Sequence, residues 1–255
     1  MIYIIGGNGF VGSAIARACE RRNLPYQKIT RENIDEFTDS ACEILINANG
    51  NSKKFMSERE PLWDFDASVK SVRASLVNIK ADKYIHISSC DVYPDCSSPE
   101  FTKEDQVIDV TKQSAYGFHK YLAELCVMRH APKWIIFRMG GFVGEGLKKN
   151  AIYDILQGGP LWLDPESELQ FIDVDKAADL IVDVAISQKS GEIYNICGKG
   201  TVRIGDVIAL ANKEVSIMPE APRVRYEISI EKMQEILELP NTKEDVFEYV
   251  NESVR

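Results

Sequence analysis

"YIIGGNGFVGSAIARACERR" (residues 3–22) decides the fold. Ile2, Tyr3, Ile4 and Ile5 make a short apolar run that glycine cuts off, as in a parallel strand buried on both faces. From Gly9 onward, Val11, Ile15 and Ala18 recur at helical spacing, and the charged segment Glu20 to Arg22 closes the helix. Gly7-x-Gly9-x-x-Gly12 therefore lies between a strand and a helix, the context that a dinucleotide fingerprint demands. Glycines there permit the tight turn, the close approach of backbone to a pyrophosphate, and the packing of helix on strand. The free N–H groups of the helix start then face the anion.

Working outward, apolar runs alternate with helical patterns. "YQKI" (26–29), "EILINA" (43–48), "KYIHISS" (83–89) and "KWIIFRM" (133–139) read as strands, with helical stretches such as 59–79 and 112–130 between them. This alternation implies βαβ units, hence an α/β fold with a Rossmann-type, doubly wound parallel sheet. "FIDVDKAADLIVDVAIS" adds a strand and a helix, and "EIYNIC" a last core strand. The reading gives a dinucleotide-binding core over 1–147, completed by 171–197. A small, mostly helical C-terminal substrate lobe takes 148–170 and 198–255. The long polar loop "PDCSSPEFTKEDQVID" (94–109) is expected to rim the site.

Charge narrows the partners. Thirty basic against thirty-nine acidic residues give a net charge of −9 in a chain of 255 residues. The longest basic runs are pairs such as Lys53-Lys54 and Lys148-Lys149, so neither nucleic acid nor an anionic membrane is an expected partner. A strand at the very start argues against a cleavable signal, and no apolar run approaches membrane-spanning length. Cys19, Cys42, Cys90, Cys96, Cys126 and Cys197 are scattered and read as reduced thiols of a cytoplasmic protein. No metal site is expected, since Cys90 and Cys96 have no second pair and no histidine cluster.

The chemistry lies further along. "SAYGFHKYLAEL" places Tyr116 and Lys120 four apart on a helix, so both point the same way, and "YIHISS" brings Ser88 and Ser89 to the strand edge where ligands sit. Moving a hydride to or from a carbinol carbon also means moving a proton on its oxygen. A tyrosine near pKa 10 does this poorly unless nearby positive charge lowers it, and a serine hydroxyl can hold the same oxygen in line.

With these residues the chain resembles the short-chain dehydrogenase/reductases, in their extended sugar-nucleotide branch of epimerases and dehydratases. The resemblance spans nearly the whole chain, through "GGNGFVG", "ISSCDVYP", "YGFHK", "FRMGGFVG", "FIDVDKAADL" and "YNICG" in that order. It implies Ser89 as the catalytic serine, Tyr116 as the acid/base and Lys120 as the ribose-binding lysine. The cofactor would lie on Gly6, Gly7, Asn8, Gly9, Phe10, Val11 and Gly12, and beyond them on Ala48, Asn49 and Gly50. At the end of the second strand an NAD site usually carries an acidic residue; here Thr30 and Arg31 stand there, and Arg31 suits a 2′-phosphate, favouring NADP with NAD as the alternative.

Asp91, two residues after Ser89, matches the position of the extra acid or base in family members that dehydrate or epimerise sugars; it equally suits the cap of a turn. The compact second and third units and "HAPKWIIFR" also look like the 4-keto-sugar reductases such as dTDP-4-dehydrorhamnose reductase. Three readings therefore stand: an epimerase or dehydratase acting on a sugar or nucleotide sugar, an NADPH-dependent 4-keto-sugar reductase, and a cofactor-binding regulator without turnover. Several family positions depart from the pattern. Leu169 replaces the diphosphate-binding arginine, Met139 and Gly141 fall where proline and asparagine are usual, and Ser68 aligns with the asparagine of the proton relay. Lys148, Lys149, Arg223 or Arg225 could supply replacement cations, and Ser89, Asp91, Lys148, Asn150 and Arg223 are the candidate substrate-binding residues. "FHKYLAELCVM" is apolar enough to pair with a second copy, as family members do, or to pack on its own sheet.

Overall fold

The computed structural model describes residues 1–254, which divide into two compact units. Unit one comprises Met1–Pro94, Val107–Met139 and Ala178–Tyr194, and unit two Asp95–Gln106, Gly140–Ala177 and Asn195–Arg255. The first three sequence runs become β1 (Ile2–Ile5), β2 (Tyr26–Ile29) and β3 (Ser40–Asn47), with α1 (Phe10–Arg21) after β1. α2 (Lys54–Arg59), α3 (Pro61–Phe65), a π-helical turn (Asp66–Lys70) and α4 (Ser71–Asn78) follow. They lead into β4 (Ile79–Ser89), α5 (Ala115–His130) and β5 (Trp134–Met139). Unit two brings β6 (Gly141–Val143), α6 (Ala151–Gln157), β7 (Glu168–Leu169) and β8 (Phe171–Asp173). The chain then runs through α7 (Val174–Ile186) and β9 (Glu192–Ile196), which straddle the division. It ends in β10 (Val202–Arg203), α8 (Ile204–Ala211), β11 (Arg225–Tyr226), α9 (Glu231–Gln234) and α10 (Thr242–Ser253).

Among the described residues, six strands pair in the order β2-β1-β3-β4-β5-β9, with β1 to β5 parallel, as the Rossmann reading requires. The order reverses between β1 and β3, which creates the crevice where open α/β sheets bind ligands. Ile5, Ile29, Leu45, Tyr84 and Ile136 pack with Val72 of α4 and with Ala123 and Val127 of α5 into a core cluster that holds these helices on the sheet. Among the described residues, no helix is long and apolar enough to cross a membrane.

Three features go beyond what the sequence pattern could specify. "FID" pairs with β6 in a two-stranded sheet, not with the six-stranded one, because an apolar strand pattern does not name its partner. The helical stretch 59–79 is broken at its centre by the π-helical turn. The polar loop is divided as well: residues 95–106 belong to unit two and are pinned there. Thr102 Oγ1 accepts the Ser229 N–H at 2.8 Å, and its carbonyl accepts the Asn195 amide at 2.6 Å. Unit two has its own core, in which Val143, Ile152, Phe171, Ile204 and Val246 meet. Beside its helices it holds a three-stranded sheet, β10-β7-β11, that the sequence pattern did not announce.

One core group makes the protein acid-sensitive. His86 is buried in β4, and neither ring nitrogen has a hydrogen-bond partner among the described residues. Burial, helped by the Lys120 ammonium, pushes its pKa from 6.5 down to about 3. The unfolded chain therefore takes up a proton that the folded chain refuses. Stability is lost as the pH falls from 6.5 towards 3, at about 1.4 kcal/mol per pH unit. Denaturant unfolding at pH 7 and pH 5 is expected to differ by about 2 kcal/mol on this account, a loss that His86→Gln removes. An equal loss in the variant would place the sensitivity elsewhere.

Candidate functional site

The glycine turn is shaped by contacts that no larger residue could make. Gly6 adopts φ +76° and donates its N–H to the Ile29 carbonyl at 2.9 Å, tying the turn to the end of β2. A Cβ on Gly12 would stand 2.1 Å from the Gly6 carbonyl oxygen, so α1 rests directly on the turn. Gly9 caps α1 without any side-chain bond, and the first turn carries no acidic residue. The N–H groups of a twelve-residue helix thus open onto the strand ends, which suits a pyrophosphate.

Arg31 lies at the edge of a cleft of about 300 Å³ that Asn49, Gly50, Trp63, Asp66, Ala67 and Ser71 also line. This brings together the residues after β2 and β3, as expected for a ribose and its base. Thr30 is fixed by Asn33, whose Oδ1 accepts the Thr30 N–H at 2.7 Å. A larger hollow of about 560 Å³ sits at the starts of β3 and β4, around Met1, Cys42 and Asp82, away from all of these groups.

Helix α5 carries both Tyr116 and Lys120. Ser114 caps it, accepting the Gly117 N–H at 3.1 Å, and Arg129 and His130 complement the dipole at its far end. A Cβ on Gly117 would lie 2.0 Å from the Asp91 carbonyl oxygen, so the first turn is pressed onto the loop after β4. The Tyr116 side chain is thereby brought close enough to Ser89 and Asp91 for both to act on it. Burial, and then the Asp91 charge, raise the Tyr116 pKa well above the ordinary phenol value, against the lowering effect of Ser89. Lys120 is buried, with Nζ 5.7 Å from the Tyr116 ring centroid and next to the Gly50 backbone, where a Cβ would be only 2.8 Å away. Ser89, Asp91, Tyr116 and Lys120 are therefore gathered in unit one, together with the glycine turn and Gly50.

Two buried polar groups support this set and had no clear signal in the sequence. Glu124, one turn beyond Lys120, binds Arg138 of β5 through Nε and Nη2, the latter at 2.8 Å, and both side chains are buried. Ser88 donates to Glu124 at 2.5 Å and Arg138 donates to Tyr93 at 2.8 Å, so β4, β5 and α5 are locked together beneath Ser89. Asp64, fully buried, accepts from Asn51 at 2.7 Å and from Ser68 at 3.3 Å, and its second oxygen meets His119 Nδ1 at 2.6 Å. Ser68, aligned with the family's relay asparagine, thus sits in the π-helical turn and spends its hydroxyl on Asp64. A π-helical turn inside a longer helix often marks a functional site.

Lys148, Asn150 and Arg223 lie in unit two. Lys148 and Arg223 are exposed. Asn150 is committed to structure: its Oδ1 accepts the Tyr153 N–H at 3.0 Å to cap α6, and its Nδ2 donates to the Phe142 carbonyl at 2.7 Å. Its backbone takes φ +134°, a strained value for a residue with a Cβ, and this double tether holds it there. Leu169 lies in β7, paired with Val202 of β10. Among the described residues, no group of three or more His, Cys, Asp or Glu side chains gathers to hold a metal ion.

Known proteins were compared with this geometry. Solved structures share the fold over nearly the full chain. The dTDP-4-dehydrorhamnose reductase of Bacillus anthracis str. Ames, in complex with NADP, superposes with a TM-score of 0.78 at 17% identity, covering 98% of this chain and 97% of that one. The UDP-glucuronic acid 4-epimerase of Bacillus cereus, solved with UDP-glucuronic acid and NAD, gives 0.75 at 19% identity over 98% and 99% of the two chains. A UDP-N-acetylglucosamine 4-epimerase from Methanobrevibacter ruminantium M1 gives 0.77 at 17%, over 98% and 96%. Identities this low establish the fold alone. No curated protein sequence matches the chain significantly. The family model named NAD dependent epimerase/dehydratase family matches residues 2–197, which include the glycine turn, Ser89, Tyr116 and Lys120. The chain belongs to the NAD-dependent epimerase/dehydratase family.

Proposed function

We propose that the protein binds NADP in unit one and moves a hydride at a secondary alcohol or ketone carbon of a nucleotide-activated sugar, as an epimerase or dehydratase. The observation that carries this reading is the gathering of Ser89, Tyr116 and Lys120 in the unit that also holds a glycine-capped helix start at the switch point of a parallel sheet. The residues fit such a cofactor. The turn from Gly6 to Gly12 would take the pyrophosphate, and Arg31, Asn49 and Gly50 the adenosine half. Lys120 would hold the nicotinamide ribose. When bound, the cofactor supplies the hydride acceptor or donor. Tyr116 exchanges the proton on the reacting oxygen, and Ser89 orients that oxygen. Asp91 is the further acid/base group, and the exposed Lys148 and Arg223 are the cations proposed for an anionic substrate.

A second reading, an NADPH-dependent 4-keto-sugar reductase, is supported by Arg31 at the cleft and by the absence of an arginine at 169. The same reading places the enzyme in the cytoplasm, in keeping with its six free cysteines, and pairs two copies through α5, where Leu125 is exposed.

Arg31 decides the cofactor. Arg31→Ala is expected to weaken NADPH at least tenfold and NADH less than threefold, measured by calorimetric titration. A tenfold loss is about 1.4 kcal/mol, near the low end for one charge-assisted hydrogen bond. Equal losses would show that Arg31 does not read a 2′-phosphate. The reaction is tested by incubating the protein with NADP and, separately, UDP-glucose, UDP-glucuronic acid and UDP-N-acetylglucosamine, and following the sugar protons by NMR. An inverted or dehydrated sugar supports the first reading. Consumption of NADPH only when a 4-keto sugar is supplied supports the second.

A further inference from the structure

Gly50 and Lys120 approach so closely that a Cβ on Gly50 would lie 2.8 Å from Lys120 Nζ. Gly50 has no side chain with which to fix this approach, so its neighbours must. The next residue, Asn51, is buried, and so is His119, the residue before Lys120. One carboxylate joins them. Asp64 Oδ1 accepts from Asn51 Nδ2 at 2.7 Å, and its Oδ2 lies 2.6 Å from His119 Nδ1. The two ends of this bridge are therefore chain neighbours of the two groups that meet.

The bridge is set at each end. Asn51 also closes its own turn, accepting the Lys53 N–H at 2.7 Å and donating to the Lys53 carbonyl at 3.0 Å, so both of its amide N–H groups are used. His119 packs edge-on against Phe65, the residue after Asp64, with ring centroids 5.6 Å apart. Ser68 gives Asp64 a further donor at 3.3 Å. Asp64 is fully buried, and a carboxylate there is stable only while its donors stay in place. The near side of the loop is anchored separately. Ala48 donates its N–H to the Ile5 carbonyl at 3.0 Å, and Asn49 donates its N–H to Asn47 Oδ1 at 2.9 Å. Asn49, which lines the cleft with Arg31, is thus held by β3, whereas the chain beyond Gly50 is held by Asp64.

Resting on the reading that unit one binds NADP, we propose that Asp64 is a positioning residue for the nicotinamide half of the cofactor. Through Asn51 and His119 it sets the separation of Gly50 from Lys120, and with it the grip on the nicotinamide ribose. The role is indirect: Asp64 acts through the Lys120 ammonium and the Gly50 backbone. A displacement of about 0.5 Å is enough to loosen a site of this kind.

Calorimetric titration with two ligands separates this role from general support of the fold. NADP spans both halves of the site, whereas adenosine 2′,5′-bisphosphate reaches the adenosine half alone. His119→Phe keeps an aromatic ring against Phe65 and removes the donor. It is expected to weaken NADP about tenfold and to leave adenosine 2′,5′-bisphosphate within about twofold. His119→Asn puts an amide N–H where Nδ1 stands and should restore NADP affinity to within about threefold of wild type.

The single variant His119→Phe leaves a buried carboxylate without its partner, which endangers folding. Asp64→Leu combined with His119→Phe removes the charge along with the donor and is expected to fold. The double variant should show the same loss, about tenfold and confined to NADP. Wild-type NADP affinity in these variants, an equal loss of both ligands, or no recovery in His119→Asn overturns the proposal. Any of these results beside normal wild-type binding removes the role of Asp64 alone. A wild type that binds neither ligand removes the proposed function and this role together.

Discussion

Tyr116→Phe is expected to lower hydride-transfer turnover about 10²–10⁴-fold while leaving NADP affinity within a few-fold, as read from single-turnover rates and calorimetric titration. The size follows from the position of the phenol. Tyr116 is buried and one helical turn from Lys120. It is the group that the proposed function has exchanging a proton with the reacting oxygen. Phenylalanine keeps the ring and its packing, so Lys120 and the glycine turn remain to hold the cofactor. Unchanged turnover in this variant would contradict both enzyme readings as their residues are assigned.

The largest structural effect is expected at Arg138. Arg138→Leu strands the Glu124 carboxylate in a fully buried position and should cost about 3–5 kcal/mol of stability. Tyr93 loses its Arg138 partner at the same time, and Ser88 is left bonded to a carboxylate without its counter-charge. Glu124→Met combined with Arg138→Leu removes both charges and should recover most of that loss, because the penalty lies in the unpaired charge. Urea unfolding of the two single variants and the double variant measures the coupling. Strict additivity would mean that the pair acts only through packing.

The parts of this structure that could be read from sequence are those whose signal is local. A parallel strand buried on both faces is a continuous apolar run, so β1, β3, β4 and β5 could be found within a few residues of their ends. The glycine turn was legible because its function requires small residues at fixed spacing between a strand and a helix. Tyr116 and Lys120 were legible because four residues make one helical turn.

Groups whose partners lie far along the chain were not. Lys54 meets Asp91 across 37 residues, and Asp64 meets His119 across 55, so neither pairing leaves a pattern in its own neighbourhood. The break in the helical stretch 59–79 belongs to the same class. It coincides with Asp64 and Ser68 turning inward, which a count of apolar positions records only as noise. β8 illustrates the converse: its apolar pattern was read correctly as a strand, but the pattern carried no information on whether β6 or the main sheet would take it.

Calorimetric titration of NADP and NAD into the purified protein tests the account most directly, because every role given to Ser89, Asp91, Tyr116 and Lys120 depends on a nicotinamide dinucleotide beside them. The account predicts one dinucleotide bound per chain, with NADP the tighter. Failure of both dinucleotides to bind would contradict it.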